Sequence, residues 1–304
     1  MVTVPDDLAR KTVELFKGEG VAWLERLPAL IADLAQRWSL TVLPPFEALS
    51  YNYVAPVVRA DGSDAVLKLG VPNPELLTEI EALRLYDGRG IVRLLDADAD
   101  RGALLLERLK PGTMLSSLAD DAQATSIAAG VMRQLWRPAP ENHSFPTVAR
   151  WAKGLQRLRN QFGGGTGPFP SALVEAAETL FAELIGSMAE PVLLHGDLHH
   201  FNILAAERQP WLALDPKGVV GEPAYEVGAL LRNPYPEFLT WPHLDRVLAR
   251  RVSQLAEELG FDPERLVGWG FAQAVLSGWW SYEDHGHGWE PSLVLAELFA
   301  RLRV

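Results

Sequence analysis

Residues 195–202 read His-Gly-Asp-Leu-His-His-Phe-Asn, and residues 214–218 read Leu-Asp-Pro-Lys-Gly. Asp197, Asn202 and Asp215 follow one another here at steps of five and then thirteen residues. A carboxylate within reach of an alcohol can take its proton as a new bond forms. An amide oxygen and a second carboxylate suit a hard cation such as Mg²⁺, which prefers oxygen ligands. Transfer of a phosphoryl group from ATP needs that division of labour. Ile203-Leu204 follows Asn202, and Leu212-Ala213-Leu214 precedes Asp215. Two short paired strands are therefore expected to bring both oxygen ligands to one end of a hairpin. Any one of the three residues alone reads as a turn-former; their joint spacing favours chemistry.

The rest of the composition narrows the classes. The chain has 304 residues, 48% apolar and 22% charged, which is room for two lobes with real cores. A net charge of −11 repels a phosphate backbone, so nucleic acid is not an expected partner. The same charge suits a cationic small acceptor, although an ordinary solvated acidic surface is the plainer reading. With no cysteine, disulfides, thiolate metal sites and cysteine nucleophiles are excluded. Met1-Val-Thr-Val-Pro-Asp-Asp7 is not a signal peptide, and no apolar run reaches the ~20 residues of a membrane helix. A cytoplasmic protein without membrane contact is expected, with monomer or homodimer left open.

The pattern along the chain is α+β. Two amphipathic helices are expected first, the second over 21–38, where Trp23, Leu27, Leu30, Ile31, Leu34 and Trp38 form a stripe and Pro28 kinks or splits it. Strands are expected over 49–54, 57–59 and 65–69, with a turn over 60–63, a helix over 74–86 closed by the glycines of 87–90, and strands over 92–95 and 103–107. Beyond Lys110-Pro-Gly112 the periodicity is mostly helical: 119–136, 147–160, 171–189, 242–259, 263–281 and 291–303, with short strands at 192–194, 203–205 and 212–214. This makes an N-terminal lobe over 1–106 with a helical extension, a hinge over 107–112 and a larger lobe over 113–304. The glycines of Phe162–Phe169 have no strand before them and no Gly-Lys-Ser/Thr after them, so they read as a loop and not a phosphate cradle.

Other residues carry candidate roles. Lys68 sits between Leu67 and Leu69, where a charge needs a partner. Glu79 and Glu81 both lie on the next helix; Glu79, beside Ile80 and Leu83, faces inward and is the expected partner. No glycine-rich nucleotide loop is visible, and Ser50 and Asn52 stand in its place as hydrogen-bonding groups. Backbone at Glu107 and Leu109 reads equally as an adenine edge and as a plain strand end. His195, His199 and His200 are dense enough to suggest a metal site with Asp197, which would make a metal-dependent hydrolase; loop scaffolding is the favoured reading.

With these residues in view, the segments resemble the H-R-D-x-x-x-x-N and D-F-G motifs of the protein kinases, with Gly196 in place of Arg and Asp-Pro-Lys-Gly in place of D-F-G. More closely, Lys68, Glu79, the hinge near Glu107, His195-Gly-Asp197…Asn202 and Asp215 resemble the aminoglycoside phosphotransferase family. Leu194 to Leu204 with Asp215-Pro-Lys-Gly218 is similar to its streptomycin 6-phosphotransferase and hydroxyurea phosphotransferase branch. The resemblance implies a bilobal protein-kinase-like fold, ATP, Mg²⁺ and a hydroxyl acceptor. It implies Asp197 as base, Asn202 and Asp215 as metal ligands, Lys68 on the α/β phosphates and Glu79 holding it. From its position, Lys217 adds a charge near the γ-phosphate. Acceptor contacts are expected from Glu222, Glu226, Trp279, Trp280, Glu283 and Asp284, because aromatic faces and carboxylates suit cationic sugars; the tryptophans read equally as core. The leading expectation is an aminoglycoside such as streptomycin. Hydroxyurea, another metabolite alcohol, and a nucleotide-binding protein without transfer activity are the alternatives.

Overall fold

The protein, a computed structural model, is described over residues 4–47 and 49–302. It divides into two compact units, Met1–Gly112 and Thr113–Val304.

The first unit opens on helix α1 (Asp6–Arg37), interrupted at Lys17 by non-helical angles (φ 50°, ψ −126°). The break thus falls at Lys17, beside Gly18, and not at Pro28. Lys17 turns its ammonium back onto the Glu14 carbonyl, while Pro28 lies on the exposed face, where water can serve the carbonyl left without a donor. Strands β1 (Leu40–Val42), β2 (Tyr53–Arg59) and β3 (Asp64–Leu69) follow. Next come helix α2 (Pro74–Tyr86) and strands β4 (Leu94–Asp98) and β5 (Ala103–Glu107). The sheet order is β1-β2-β3-β5-β4. β2 runs unbroken through Pro56, where two strands were expected.

Leu8, Trp23, Leu27, Ile31 and Leu34 of α1 bury against Tyr53, Ala55, Val57, Ala65, Leu67, Leu69, Ala103 and Leu105. Fully burying each of the leucines, the isoleucine or the valine among them is worth about 1.5–3 kcal/mol. All these strand positions lie on one face, because side chains alternate. Lys68, opposite Val54 on β2 and Leu104 on β5, therefore lies on the other face. Helix α2 starts with Asn73 accepting the Leu76 N–H at 3.0 Å and Pro74 in the first turn. Its left-handed cap is Asp87 (φ 47°), one residue before the glycine expected to supply it.

In the second unit, β6 (Pro111–Met114) straddles the junction. There follow α3 (Asp121–Leu135), β7 (Arg137–Pro138), α4 (Val148–Gln161), α5 (Ser171–Gly186), β8 (Val192–Leu194), β9 (Ile203–Ala206), β10 (Trp211–Ala213) and β11 (Val219–Gly221). Helices α6 (Pro223–Leu231), α7 (Leu244–Leu259), α8 (Pro263–His285) and α9 (Glu290–Arg301) complete it. Residue 303, where the last helix was expected to end, lies outside the described residues. Helix α8 is buried continuously from Gly268 to Leu276 and is the central helix, packed by α4, α5, α6, α7 and α9. Helix α6 and strand β11 were not expected. Ala224 to Leu231 is buried throughout and so carries no polar stripe to betray a helix, and β11 is only three residues long. Residues 162–169 form a loop, as expected. Among the described residues, no helix is long and apolar enough to cross a membrane.

Candidate active site

The segment 195–202 leaves β8 and the segment 214–218 returns into β11, with Leu194 paired to Val219. Between them β9 and β10 form an antiparallel hairpin, with Ile203 opposite Ala213. Asn202 and Leu214 are thus side by side, and the Leu214 N–H donates to the Asn202 carbonyl at 2.9 Å. Asn202 and Asp215 occupy the same end of this hairpin.

His195 locks the two segments together. Its carbonyl accepts from the N–H groups of Lys217 (2.8 Å) and Gly218 (3.1 Å). Its fully buried ring donates from Nε2 to the Leu214 carbonyl at 2.8 Å and accepts the Asp197 N–H on Nδ1 at 3.2 Å. Accepting on Nδ1 needs a neutral ring, and burial, which lowers its pKa to about 4, keeps it neutral. The Asn202 amide nitrogen donates to the Asp197 carbonyl at 3.0 Å, which leaves Oδ1 turned the other way. Asp215 holds a left-handed backbone (φ 62°), uncommon outside glycine; the bonds to Leu214 and Lys217 on either side of it fix that turn.

Asp197 is about a third exposed. Burial acts to raise its pKa, but His199, Lys217, His195 and Arg232 outweigh it and hold the carboxyl below its ordinary value. It is therefore ionised at neutral pH, as a proton acceptor must be. His199 Nε2 lies 3.7 Å from Asp197 Oδ2. The Lys217 charge acts on Asp197. The three histidine rings have separate work: His195 on backbone, His199 beside Asp197 and accepting the Phe201 N–H at 3.3 Å, His200 toward Arg251 at 3.4 Å. No cluster of three or more His, Asp or Glu converges on a metal among the described residues.

In the first unit, Lys68 Nζ meets Glu79 Oε1 at 2.7 Å and Oε2 at 2.8 Å, with both residues buried. Glu81 is only half-buried, so the inward choice of Glu79 matches the geometry. Removing one partner of a buried pair leaves an uncompensated charge and costs about 3–5 kcal/mol. Lys68→Met is expected to lower the urea midpoint measurably, and Lys68→Met with Glu79→Leu to recover most of that loss. A double variant no more stable than Lys68→Met would contradict a dominant pair. Asn52 places its carbonyl oxygen over Gly70, where a Cβ would approach it to 2.3 Å. Ser50 is exposed and Leu109 half-buried. At Glu107 the N–H donates to the Arg93 carbonyl at 2.9 Å and Oε2 accepts the Arg93 N–H at 3.1 Å, so of its backbone groups only the carbonyl is left for the expected adenine edge.

The acceptor candidates divide. Glu222 is buried and held by Arg265 Nε at 2.7 Å and by the Trp269 indole N–H, so it braces α8 and does not face an acceptor. Glu226 is also buried; it accepts the His195 N–H at 2.6 Å, the Gly196 N–H at 2.9 Å and the Leu198 N–H, and so carries the loop bearing Asp197. Trp279 is core, stacked on Tyr282 (5.9 Å) and edge-on to Phe162 and Phe169. Glu283 is exposed but paired through both oxygens to Arg157 at 2.6 and 2.7 Å, and the exposed Asp284 adds its field to the same arginine. Trp280 is half-buried and stands edge-on to Trp151 at 5.5 Å. Trp151 in turn contacts Gly196, whose left-handed backbone (φ 86°) leaves no space for a Cβ. Trp280 thus lies one side chain from the Asp197 loop. Sequence reading missed Trp151 and Arg232, which stand on α4 and just after α6, with no local motif to mark them.

The unit carrying interlocked His-Gly-Asp and Asp-Pro-Lys-Gly loops, with a buried Lys–Glu pair in a five-stranded sheet before it, defines a protein-kinase-like phosphotransferase. The sequence profile of the aminoglycoside/hydroxyurea antibiotic resistance kinases matches residues 37–285, and the chain belongs to that family. Streptomycin 6-kinase of Streptomyces glaucescens is 35% identical over 97% of this chain and 95% of that protein. Hydroxyurea phosphotransferase of Kitasatospora aureofaciens is 36% identical over 93% and 82%. Among solved structures, an aminoglycoside phosphotransferase of Streptomyces rimosus in complex with ADP and streptomycin aligns with TM-score 0.55 at 19% identity, covering 82% of this chain and 97% of that one. A choline kinase of Streptococcus pneumoniae aligns with TM-score 0.65 at 13% identity over 90% and 99%. These two likenesses concern the fold.

Proposed function

We propose that this antibiotic-resistance phosphotransferase moves the γ-phosphoryl group of ATP to a hydroxyl of streptomycin. The observation that carries the reading is the placement of Asn202 and Asp215 at one end of the β9–β10 hairpin, with the ionised Asp197 carboxylate on the loop pinned to it. Asp197 orients the acceptor hydroxyl and takes its proton. Asn202 Oδ1 and the Asp215 carboxylate are a donor set that fits Mg²⁺. When bound, that ion neutralises charge on the phosphate oxygens. Lys68, held by Glu79, meets the α- and β-phosphates; Ser50, Asn52 and Leu109 backbone are the remaining nucleotide contacts; Lys217 lies toward the γ-phosphate. Positioning and charge neutralisation supply most of the rate, because the transition state is loose. Of the acceptor candidates, Trp280 and Asp284 stay in this reading, and Trp280 is favoured for its link through Trp151 to Gly196.

Hydroxyurea is the second acceptor, supported by a relative of equal identity that carries that name. Mass spectrometry of streptomycin, other aminoglycosides and hydroxyurea incubated with Mg·ATP decides between them. A gain of ~80 Da, one phosphoryl group, is expected on streptomycin. A gain on hydroxyurea alone would replace this reading with the second.

A further inference from the structure

Arg251 on α7 is fully buried, which is rare for arginine. Its guanidinium meets Asp121, at the start of α3, through Nη2 at 2.5 Å and Nε at 3.0 Å. Nη1 donates to the Asn233 carbonyl at 2.6 Å and approaches the Leu230 carbonyl at 3.4 Å. Its Cζ lies 4.4 Å from the Phe238 ring centre and 5.3 Å from that of Trp241. Arg250 binds the same carboxylate. The remaining contact reaches the active site: Nη2 lies 3.4 Å from His200 Nε2, and His200 is two residues from Asn202 on the Asp197 loop.

That contact fixes the His200 tautomer. An arginine only donates, so Nε2 accepts and the ring proton sits on Nδ1, which is buried and has no hydrogen-bond partner among the described residues. A buried donor left unpaired destabilises the fold. The contact with Arg251 is what a histidine supplies at this position and an apolar ring would not.

We infer that Arg251 is a positioning residue for phosphoryl transfer: through His200 it sets the turn carrying Asn202 and ties that turn to α3 and to the 230–241 segment. The inference rests on the phosphotransferase reading but not on which acceptor is used. The Arg–Asp pair anchors the guanidinium, the two rings and two carbonyls hold its plane, and the free edge faces His200. Phe at position 200 keeps a flat ring and removes the orphaned Nδ1–H, while taking the acceptor away from one Arg251 Nη2 N–H, so one unpaired donor is exchanged for another. Stability and turnover should then part company.

The test compares wild type with His200→Phe, Arg251→Lys and the double variant. It measures thermal midpoint, KM for ATP, kcat for transfer to streptomycin, and phosphate release from Mg·ATP without acceptor. His200→Phe is expected to keep a folded protein with a midpoint within a few degrees of wild type, keep KM for ATP within about twofold, and lose about tenfold in both turnovers. The double variant should be no slower than the slower single one, as expected for residues acting in one chain. Unchanged turnover in His200→Phe, or multiplicative losses in the double variant, overturns the inference. If wild type transfers nothing to streptomycin, the acceptor reading fails and acceptor-free phosphate release still decides the role of Arg251. If Arg251→Lys does not fold, His200→Phe alone carries the decision.

Discussion

Asp197→Asn is expected to cut transfer to the acceptor by about 10²–10⁴-fold, the range a positioned general base contributes, while the nucleotide dissociation constant stays within about twofold. The asparagine preserves shape, and the loop does not depend on the carboxylate for its own conformation. Its backbone is held by the His195 ring, the Asn202 amide and Glu226. The substitution therefore removes a proton acceptor and a charge, not a scaffold. Single-turnover kinetics with a fluorescent ADP displacement assay separate the two quantities. Turnover within threefold of wild type would remove Asp197 from the base role. Because neighbouring cations depress its pKa, the acid limb of the kcat profile attributable to Asp197 should lie below the ordinary carboxylate range.

Glu226→Ala is expected to destabilise the protein by about 2–5 kcal/mol, read as a fall in urea midpoint at constant slope. The buried carboxylate satisfies the N–H groups of His195, Gly196 and Leu198. Each buried donor left unpaired costs about 1–3 kcal/mol, with partial relief from entering water. Turnover should fall with it, since these donors belong to the Asp197 loop. Glu226 also titrates: burial drives its pKa up to about 7 against the pull of the N–H groups, from 4.5 when unfolded. A raised folded pKa means that its stabilising contribution is complete below about pH 4.5 and is lost as pH rises through about 7. Glu226→Gln cannot ionise and should flatten that part of the stability–pH curve. A curve identical to wild type between pH 5 and 8 would refute the assignment.

Much of this was legible in the chain, and the legible parts share a cause. Alternation of apolar residues around Lys68 and the 3.6-residue period around Glu79 each place one charge on an inward face, and the structure joins them at 2.7 and 2.8 Å. Helix α2 was readable over 74–86 from the apolar face of Leu76, Ile80 and Leu83 and the glycines that follow it, although the left-handed cap itself falls on Asp87. Helix α6 was not, because a segment buried on every side shows no period. The misassignment of Glu222 and Glu226 has the same root. Without α6, nothing indicated that both acids stand at the start of a buried helix facing inward to Trp269 and to the Asp197 loop.

The sequence by itself determined the reaction class, because Asp197, Asn202 and Asp215 are set at distances along the chain that a short hairpin converts directly into proximity. It also determined that Lys68 needed a partner, because a charge in an apolar strand cannot stay unpaired. Only the tertiary structure decided which carboxylates are free. Glu222, Glu226 and Glu283 look alike in the chain, and each is spent on a partner 31 to 126 residues away. The same holds for Arg251, whose contacts with Asp121 and His200 lie 130 and 51 residues off. Local spacing encodes what a few bonds of backbone can enforce; the pairing of distant charges follows from burial, which leaves a charged group no choice but the partner the fold brings to it.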